Sequence, residues 1–247
     1  MAFRYSPKIV TDSLSFYLDA ANTKSYVSGS TSWNDISKSQ LTSSVTYSGY
    51  SPTYVSNGGG GFNFNSFFPL TPTQSNGFTL SQDILRFGTG DYTIEIALNV
   101  TQPYGSGYQS VISAGNNLIS GASGSYAGIF VRGASGFINF FNGAVGVLST
   151  NVPYTTGQTL VIAFSKQGNT MVSYKNGVLV GSITSAGAFD ATETNGNVVI
   201  GTIVSTTYTG QQAFIGTIYL IKVYNKSLSS DEILQNYNAT KSRFGLT

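Results

Sequence analysis

Cysteine and histidine are both missing from the 247 residues. The first absence rules out disulfides, thiolate metal sites and cysteine nucleophiles. The second removes the usual general base and the commonest zinc ligand. Charge is scarce too. Asp, Glu, Lys and Arg make up 9% of the chain, against about 25% in a typical soluble domain. The 12 basic residues are scattered and face 10 acidic ones, for a net charge of +2. No stripe of them can neutralise neighbouring phosphates, which excludes nucleic acid as a partner. No apolar run approaches the roughly 20 residues of a membrane span. The opening MAFRYSPKIVTDS has no apolar core of the kind a secretion signal needs. The expectation is a chain made in the cytoplasm, inserted in no membrane, that leaves only as part of an assembly.

What is present argues for a folded β protein. Aromatic residues reach 13% and apolar ones 40%, whereas disordered chains lack both. With so few charges, the surface must be built from Ser, Thr, Asn, Gly and Tyr. Glycine is abundant, at 29 residues against about 17 at average usage, as a chain rich in turns requires.

Residues 1–12 are polar, contain Pro7 and read as an arm. Residues 13–247 read as one domain. SLSFYLDAA (13–21) alternates Leu14, Phe16 and Leu18 and is the first expected strand. Residues 22–51 form a Ser/Thr/Gly-rich loop or a set of short edge strands around Trp33. GGGGFNFNSFF (58–68) puts Phe62 and Phe64 on one face. DYTIEIALNV (91–100) alternates so regularly that it predicts a half-buried strand with one wet face. Asn142-Gly143 and Asn176-Gly177 each stand between apolar runs. Asn-Gly supplies the positive φ values of a two-residue type I′ turn, so both predict hairpins. LVIAFS (160–165) and NVVIGTI (197–203) add further strands, for about a dozen in one antiparallel sandwich.

The end of the chain changes period. In FIGTIYLIKVYNKSLSSDEILQNY (214–237), apolar residues first fill both faces of a strand, as at a sandwich centre. Ser229 then stands as N-cap with Glu232 three residues on, a capping box, and Leu228 with Ile233 forms a hydrophobic staple. A helix over about 229–240 follows, expected to cap an open edge or end of the sandwich.

This segment resembles the closing strand and helix of LamG-type concanavalin A-like jelly rolls. LVIAFSKQGNTMVSYKNGVLVGS (160–182) resembles the family's penultimate hairpin, NVVIG (197–201) its x-I-G strand, and FGTGDYTIEIALNV (87–100) its F-T-x-E-x-W-V strand. SPKIVTDSLSFYLDAANTKSYVSGSTSWNDIS (6–37) is similar to the start of LamG-like structural proteins of tailed phages. The resemblance implies an all-β, concanavalin A-like antiparallel β-sandwich jelly roll with one short C-terminal α-helix.

Glucanases on this fold carry E-x-D-x-x-E on one strand, supplying nucleophile and acid/base from one groove. Here Glu95 is followed by Ile96, Ala97 and Leu98, without a second carboxylate. The chain is therefore read as not an enzyme, with Glu95 a solvated strand residue. LamG domains often hold calcium at a rim, and Ca²⁺ needs several oxygen ligands. Asp83, Asp190 and Glu193 are isolated candidates, so no cofactor is assigned and Ca²⁺ stays open. Asp19 and Asp35 are expected to tie the loop around Trp33 to backbone amides, with Trp33 itself in the core. A sugar site needs an aromatic platform with polar groups nearby. Tyr104, Tyr108 and Tyr126 are the glycan-binding candidates, although tyrosine serves protein interfaces equally well. The termini, through Phe3, Arg4, Tyr5 and Lys8 and through Arg243 and Phe244, are the expected interface residues.

The expectation is a non-enzymatic virion surface protein: a capsid decoration or head-fibre protein, or a tail-associated one. Its partners would be other virion proteins and its own copies, in a homo-oligomer such as a trimer. The alternative is a carbohydrate-binding adhesin attaching phage to host surface glycans.

Overall fold

The computed structural model describes residues 7–45, 51–65, 76–82, 84–103, 105, 107–114, 127–133, 135–142, 146–147, 149–184, 198–202 and 213–247. Among them the chain forms seventeen strands and one α-helix. The first six strands are β1 (Leu14–Asp19), β2 (Ser32–Asn34), β3 (Thr42–Val45), β4 (Thr53–Val55), β5 (Gly61–Asn65) and β6 (Phe78–Leu80). The middle six are β7 (Tyr92–Val100), β8 (Tyr108–Ala114), β9 (Ala127–Arg132), β10 (Phe137–Asn142), β11 (Gly146–Val147) and β12 (Val152–Pro153). The last five are β13 (Thr159–Gln167), β14 (Thr170–Lys175), β15 (Val178–Thr184), β16 (Val198–Ile200) and β17 (Ile215–Tyr224), and helix α1 (Ser230–Thr240) follows.

Two sheets stack face to face. The first runs β15-β14-β13-β7-β17-β5-β4, with β1 also paired to β17. The second runs β11-β10-β9-β8-β16-β6-β3-β2, with β12 on β10. The pairings between these strands are antiparallel. Strand β17 sits at the heart of the first sheet. One edge pairs with β7, while β5 and β1 share the other.

The core lies between the sheets, as alternation dictates. Ile94, Ile96 and Leu98 of β7, Ile162 and Phe164 of β13, and Phe62 and Phe64 of β5 meet Ile129 and Val131 of β9 and Ile138 and Phe140 of β10. Trp33 is fully buried and packs on Phe62 and Phe78, at ring-centroid distances of 4.8 and 5.6 Å. Strand β17 does fill both faces, with one adjustment. A register shift between Ile218 and Leu220 makes a bulge against β7. Ile218, Ile221 and Val223 therefore point into the core, while Tyr219 and Leu220 both belong to the outer face. A bulge adds one residue to one strand, which strict alternation cannot register.

The Asn176-Gly177 hairpin forms as expected. Lys175 pairs with Val178, and φ is 52° at Asn176 and 75° at Gly177. The Asn176 side chain also accepts the Val161 N–H at 2.8 Å, fixing the turn to β13. The hairpin at Asn142-Gly143 differs. Asn142 is itself a strand residue paired with Gly146, so the connection is residues 143–145, outside the described residues, rather than a two-residue turn.

Helix α1 has the expected capping box: the Ser229 hydroxyl accepts the Glu232 N–H, and the Glu232 carboxylate accepts the Ser229 N–H. Leu228 and Ile233 are buried in one cluster. The helix caps neither edge nor end. It lies on the outer face of the first sheet, where Ile233 packs with Ala163, Tyr174 and Tyr224, and Tyr237 packs with Ala97, Val161 and Leu220. These outward residues of β7, β13, β14 and β17 leave a largely apolar surface that a second layer covers.

Candidate functional site

The covered face decides the fate of Glu95. On β7 it points away from the core, opposite Lys222 of β17. Both are buried, at 1% and 0% exposure. The Lys222 ammonium donates to one Glu95 oxygen and Asn236 of α1 donates to the other, at 3.1 Å. Asn236 also accepts the Val10 N–H at 2.7 Å, and the Tyr224 hydroxyl donates to the Val10 carbonyl at 3.1 Å. Burial, and then the charge on Glu95, push the Tyr224 hydroxyl well above its ordinary value, so it stays protonated and donates. Glu95 is therefore not the solvated residue its strand pattern predicts, and β7 has no wet face. With both oxygens bonded, the carboxylate has no access to a substrate.

Asp35, Asp19, Arg243 and Phe244 are engaged within the chain. Asp35 accepts the Tyr17 and Ser37 N–H groups, each at 2.8 Å. Asp19 accepts the Ala21 N–H at 3.1 Å and pairs with Arg243 at 2.6 Å. Both aspartates thus bind backbone amides at the loop around Trp33. Arg243 also donates to the Gly59 and Gly60 carbonyls, and the Phe244 ring lies 5.1 Å from Tyr219. These two expected interface residues make internal contacts. At the other terminus the Lys8 carbonyl accepts from Gln235 at 2.7 Å, while its side chain is exposed. Residues 8–12 are docked on α1 and β17 rather than free as an arm. Phe3, Arg4 and Tyr5 lie outside the described residues, as do Asp83, Asp190 and Glu193. Among the described residues no three carboxylates converge as a metal site.

A different arrangement occupies the outer face of the second sheet. Tyr108 opens β8, is 36% exposed, and stands directly across from Arg132 of β9. The Arg132 guanidinium carbon lies 5.2 Å from the Tyr108 ring centroid, a cation–π contact. Phe130 and Phe141 complete the group. Their rings lie 6.4 and 6.5 Å from Tyr108 and 6.2 Å from each other. Phe130 is buried beneath, while Tyr108, Arg132 and Phe141 retain solvent access. Asn139 stands on the same face between Phe137 and Phe141. Its amide nitrogen donates to Asn151 at 2.9 Å, and its buried oxygen has no partner. Tyr108 is thus the one tyrosine candidate the described residues place in an aromatic cluster; Tyr104 and Tyr126 lie outside them. Arg132, Phe130 and Phe141 escape a sequence reading, although the Phe-Ile-Asn-Phe-Phe run at 137–141 carries a trace of the second apolar face.

A separate polar cleft of about 510 Å³ lies where the loop before β7 meets the turn after β13 and the segment after β17. Arg86, Phe87, Asp91, Gln167, Asn225 and Lys226 line it. Lys226 is held by Asp12 and Glu232 at 2.8 and 2.7 Å, and Asp91 accepts the Gly168 N–H at 2.8 Å.

Two sheets in this order, a covering helix and an aromatic outer face describe a lectin-like sandwich. The profile of the concanavalin A-like lectin/glucanases superfamily matches residues 72–234, and the chain belongs to that family. No curated protein sequence matches it. Among solved structures, domain 4 of an extracellular arabinanase from Geobacillus stearothermophilus, in complex with arabinotriose, aligns with a TM-score of 0.66 and 15% identity. That alignment covers 92% of this chain and 100% of the domain. The binding domain of Paraclostridial Mosquitocidal Protein 1 aligns at 0.65 and 11%, covering 92% of this chain and 52% of that one. Trypanosoma rangeli sialidase, in complex with the inhibitor DANA, aligns at 0.61 and 16%, covering 93% of this chain. This chain spans only 33% of the sialidase.

Proposed function

We propose that the chain is a non-catalytic glycan-binding domain whose contact surface is the platform of Tyr108, Arg132 and Phe141. The observation that carries this reading is the half-open Tyr108 ring, held by a cation and flanked by two further aromatics on an outer sheet face. Sugar rings stack on such surfaces through their C–H faces, with polar groups at the margin setting orientation. The sealing of Glu95 supports the non-catalytic half, because the paired-carboxylate route of the glucanases on this fold needs two accessible carboxylates. The arabinanase domain seen with arabinotriose supports the other half. The setting we propose is the virion surface, on the strength of the phage-like opening LDAANTKSY and TSWNDIS. There the domain would bind host glycans while its own copies associate through edge strand β15, whose Val178 and Leu179 are 66% and 59% exposed.

A glycan array, read with and without Ca²⁺ and repeated with Tyr108→Ala, tests the binding. Specific binding that disappears in the variant is expected. An array without any specific signal would remove the reading. The chain's presence and copy number in purified virions test the setting, with hundreds of copies indicating the head and a handful the tail.

A further inference from the structure

The platform carries one charge, and no described acidic residue is paired with it. Arg132 lies on the middle strand of three, with Tyr108 across from it on β8 and Phe137 across from it on β10. Its guanidinium carbon lies over the Tyr108 ring and the residue as a whole is half-buried, so the ring limits where the planar group can sit. The ion pairs among the described residues are Lys222–Glu95, Lys226–Asp12, Lys226–Glu232 and Arg243–Asp19; none includes Arg132. Of the other described acidic residues, Asp35 and Asp91 accept backbone amides and Asp231 lies in the first turn of α1. Among the described residues, therefore, no carboxylate pairs with the guanidinium edge on this platform.

A stacked guanidinium keeps its in-plane N–H donors free, and two of them match the two oxygens of a carboxylate. From this we infer that the platform selects glycans bearing a carboxylate, with a uronic or ulosonic acid ring on the Tyr108–Phe141 surface and its carboxylate on Arg132. This inference rests on the glycan-binding reading and adds a charge requirement to it. A single guanidinium balances a singly charged carboxylate, whereas a phosphate dianion needs more positive charge than this face supplies. An exposed ion pair alone contributes little. Here the stacking fixes the donor before the ligand arrives, so less side-chain freedom is lost on binding.

The test uses uronic- and sialic-acid oligosaccharides, each prepared as the free acid and as the methyl ester, together with neutral and sulfated oligosaccharides, measured by calorimetry. The ester keeps the ring and its hydroxyls and removes only the charge. Free acids should bind at least about tenfold more tightly than their esters, and the gap should shrink as salt is raised. In Arg132→Gln the acid should fall to the level of its ester, and Arg132→Lys should recover part of the gap, since it restores charge without the planar fork. Circular dichroism and the unfolding midpoint establish that each variant is folded. Equal affinity for acid and ester, a preference for sulfated or neutral glycans, or a gap that persists in Arg132→Gln each overturns the inference. Neutral binding alone leaves the glycan reading standing and removes only the charge requirement, while no binding to any of the sugars removes both.

Discussion

The two outer faces of the sandwich look misassigned when judged by composition. The first sheet's face carries Thr93, Glu95 and Lys222, residues that ordinarily meet water, and all three are buried. The second sheet's face carries Tyr108, Phe130 and Phe141, residues that ordinarily avoid it, and Tyr108 is 36% exposed. What separates them is the layer above. Helix α1 and the segments of the chain around Val10 and Phe244 cover the first face and supply its hydrogen bonds. A charged strand residue is thus a sign of water only where no second layer is laid over it.

Breaking the covered face should give the largest effect. Lys222→Met leaves the Glu95 carboxylate buried without its cation and should cost about 3–5 kcal/mol in urea unfolding. The double variant Lys222→Met with Glu95→Leu should recover most of that loss, because a buried pair is often replaceable by packed apolar groups. A double variant as unstable as the single would show that the pair itself holds the layers together. Asn236→Ala comes next. It removes the bonds to Val10, Glu95 and Tyr224 at once and should lower stability by about 2 kcal/mol. Ser229→Ala, which deletes the helix cap, should cost about 1 kcal/mol by the same measurement.

On the open face the order of effects reverses. Tyr108→Ala should shift the unfolding free energy by less than about 1 kcal/mol, yet abolish glycan binding on the array. A large loss of stability instead would mean that the ring is structural. The smallest effect is electrostatic. The hydrogen bond from Lys226, followed by the Ser229 N–H, holds the Glu232 carboxyl below the ordinary range. A carboxyl lowered in the folded state binds fewer protons there than in the unfolded chain. Its contribution is complete above the unfolded value of about 4.3 and fades as pH falls through the folded one. Exposure and screening keep it below about 1 kcal/mol. Stability measured from pH 6 to pH 2 should therefore fall less steeply in Glu232→Gln than in the parent chain.

The features legible in the sequence are those with a local cause. The Asn176-Gly177 turn, the Ser229–Glu232 capping box and the alternation of β7 each follow from a few consecutive residues, and together with the family resemblance they give the sandwich. The face assignments were not legible, because they depend on distant segments. Glu95 is buried by Asn236 and Lys222, which stand far along the chain. The bulge after Ile218 moves Tyr219 and Leu220 to one face without any mark in composition. The site was half legible. Tyr108 is recognisable as a tyrosine beside a glycine-rich loop, but Arg132 and Phe141 join it only through the register of β8, β9 and β10. The Asn142-Gly143 pair shows the converse, a strong turn signal displaced because the strand runs through Asn142.

The position of β17 bears on how the chain is made. It is an interior strand of the first sheet, yet β1, β5 and β7, its three partners, all leave the ribosome long before it does. Until residues 215–224 emerge, each of those strands has an edge with no neighbour, and such edges invite pairing with other chains. The closing contacts span most of the sequence, as Leu14 with Tyr224 shows, which predicts slow folding of the kind expected for high contact order. Nascent chains that stall before β17 are therefore the form of this protein most exposed to aggregation.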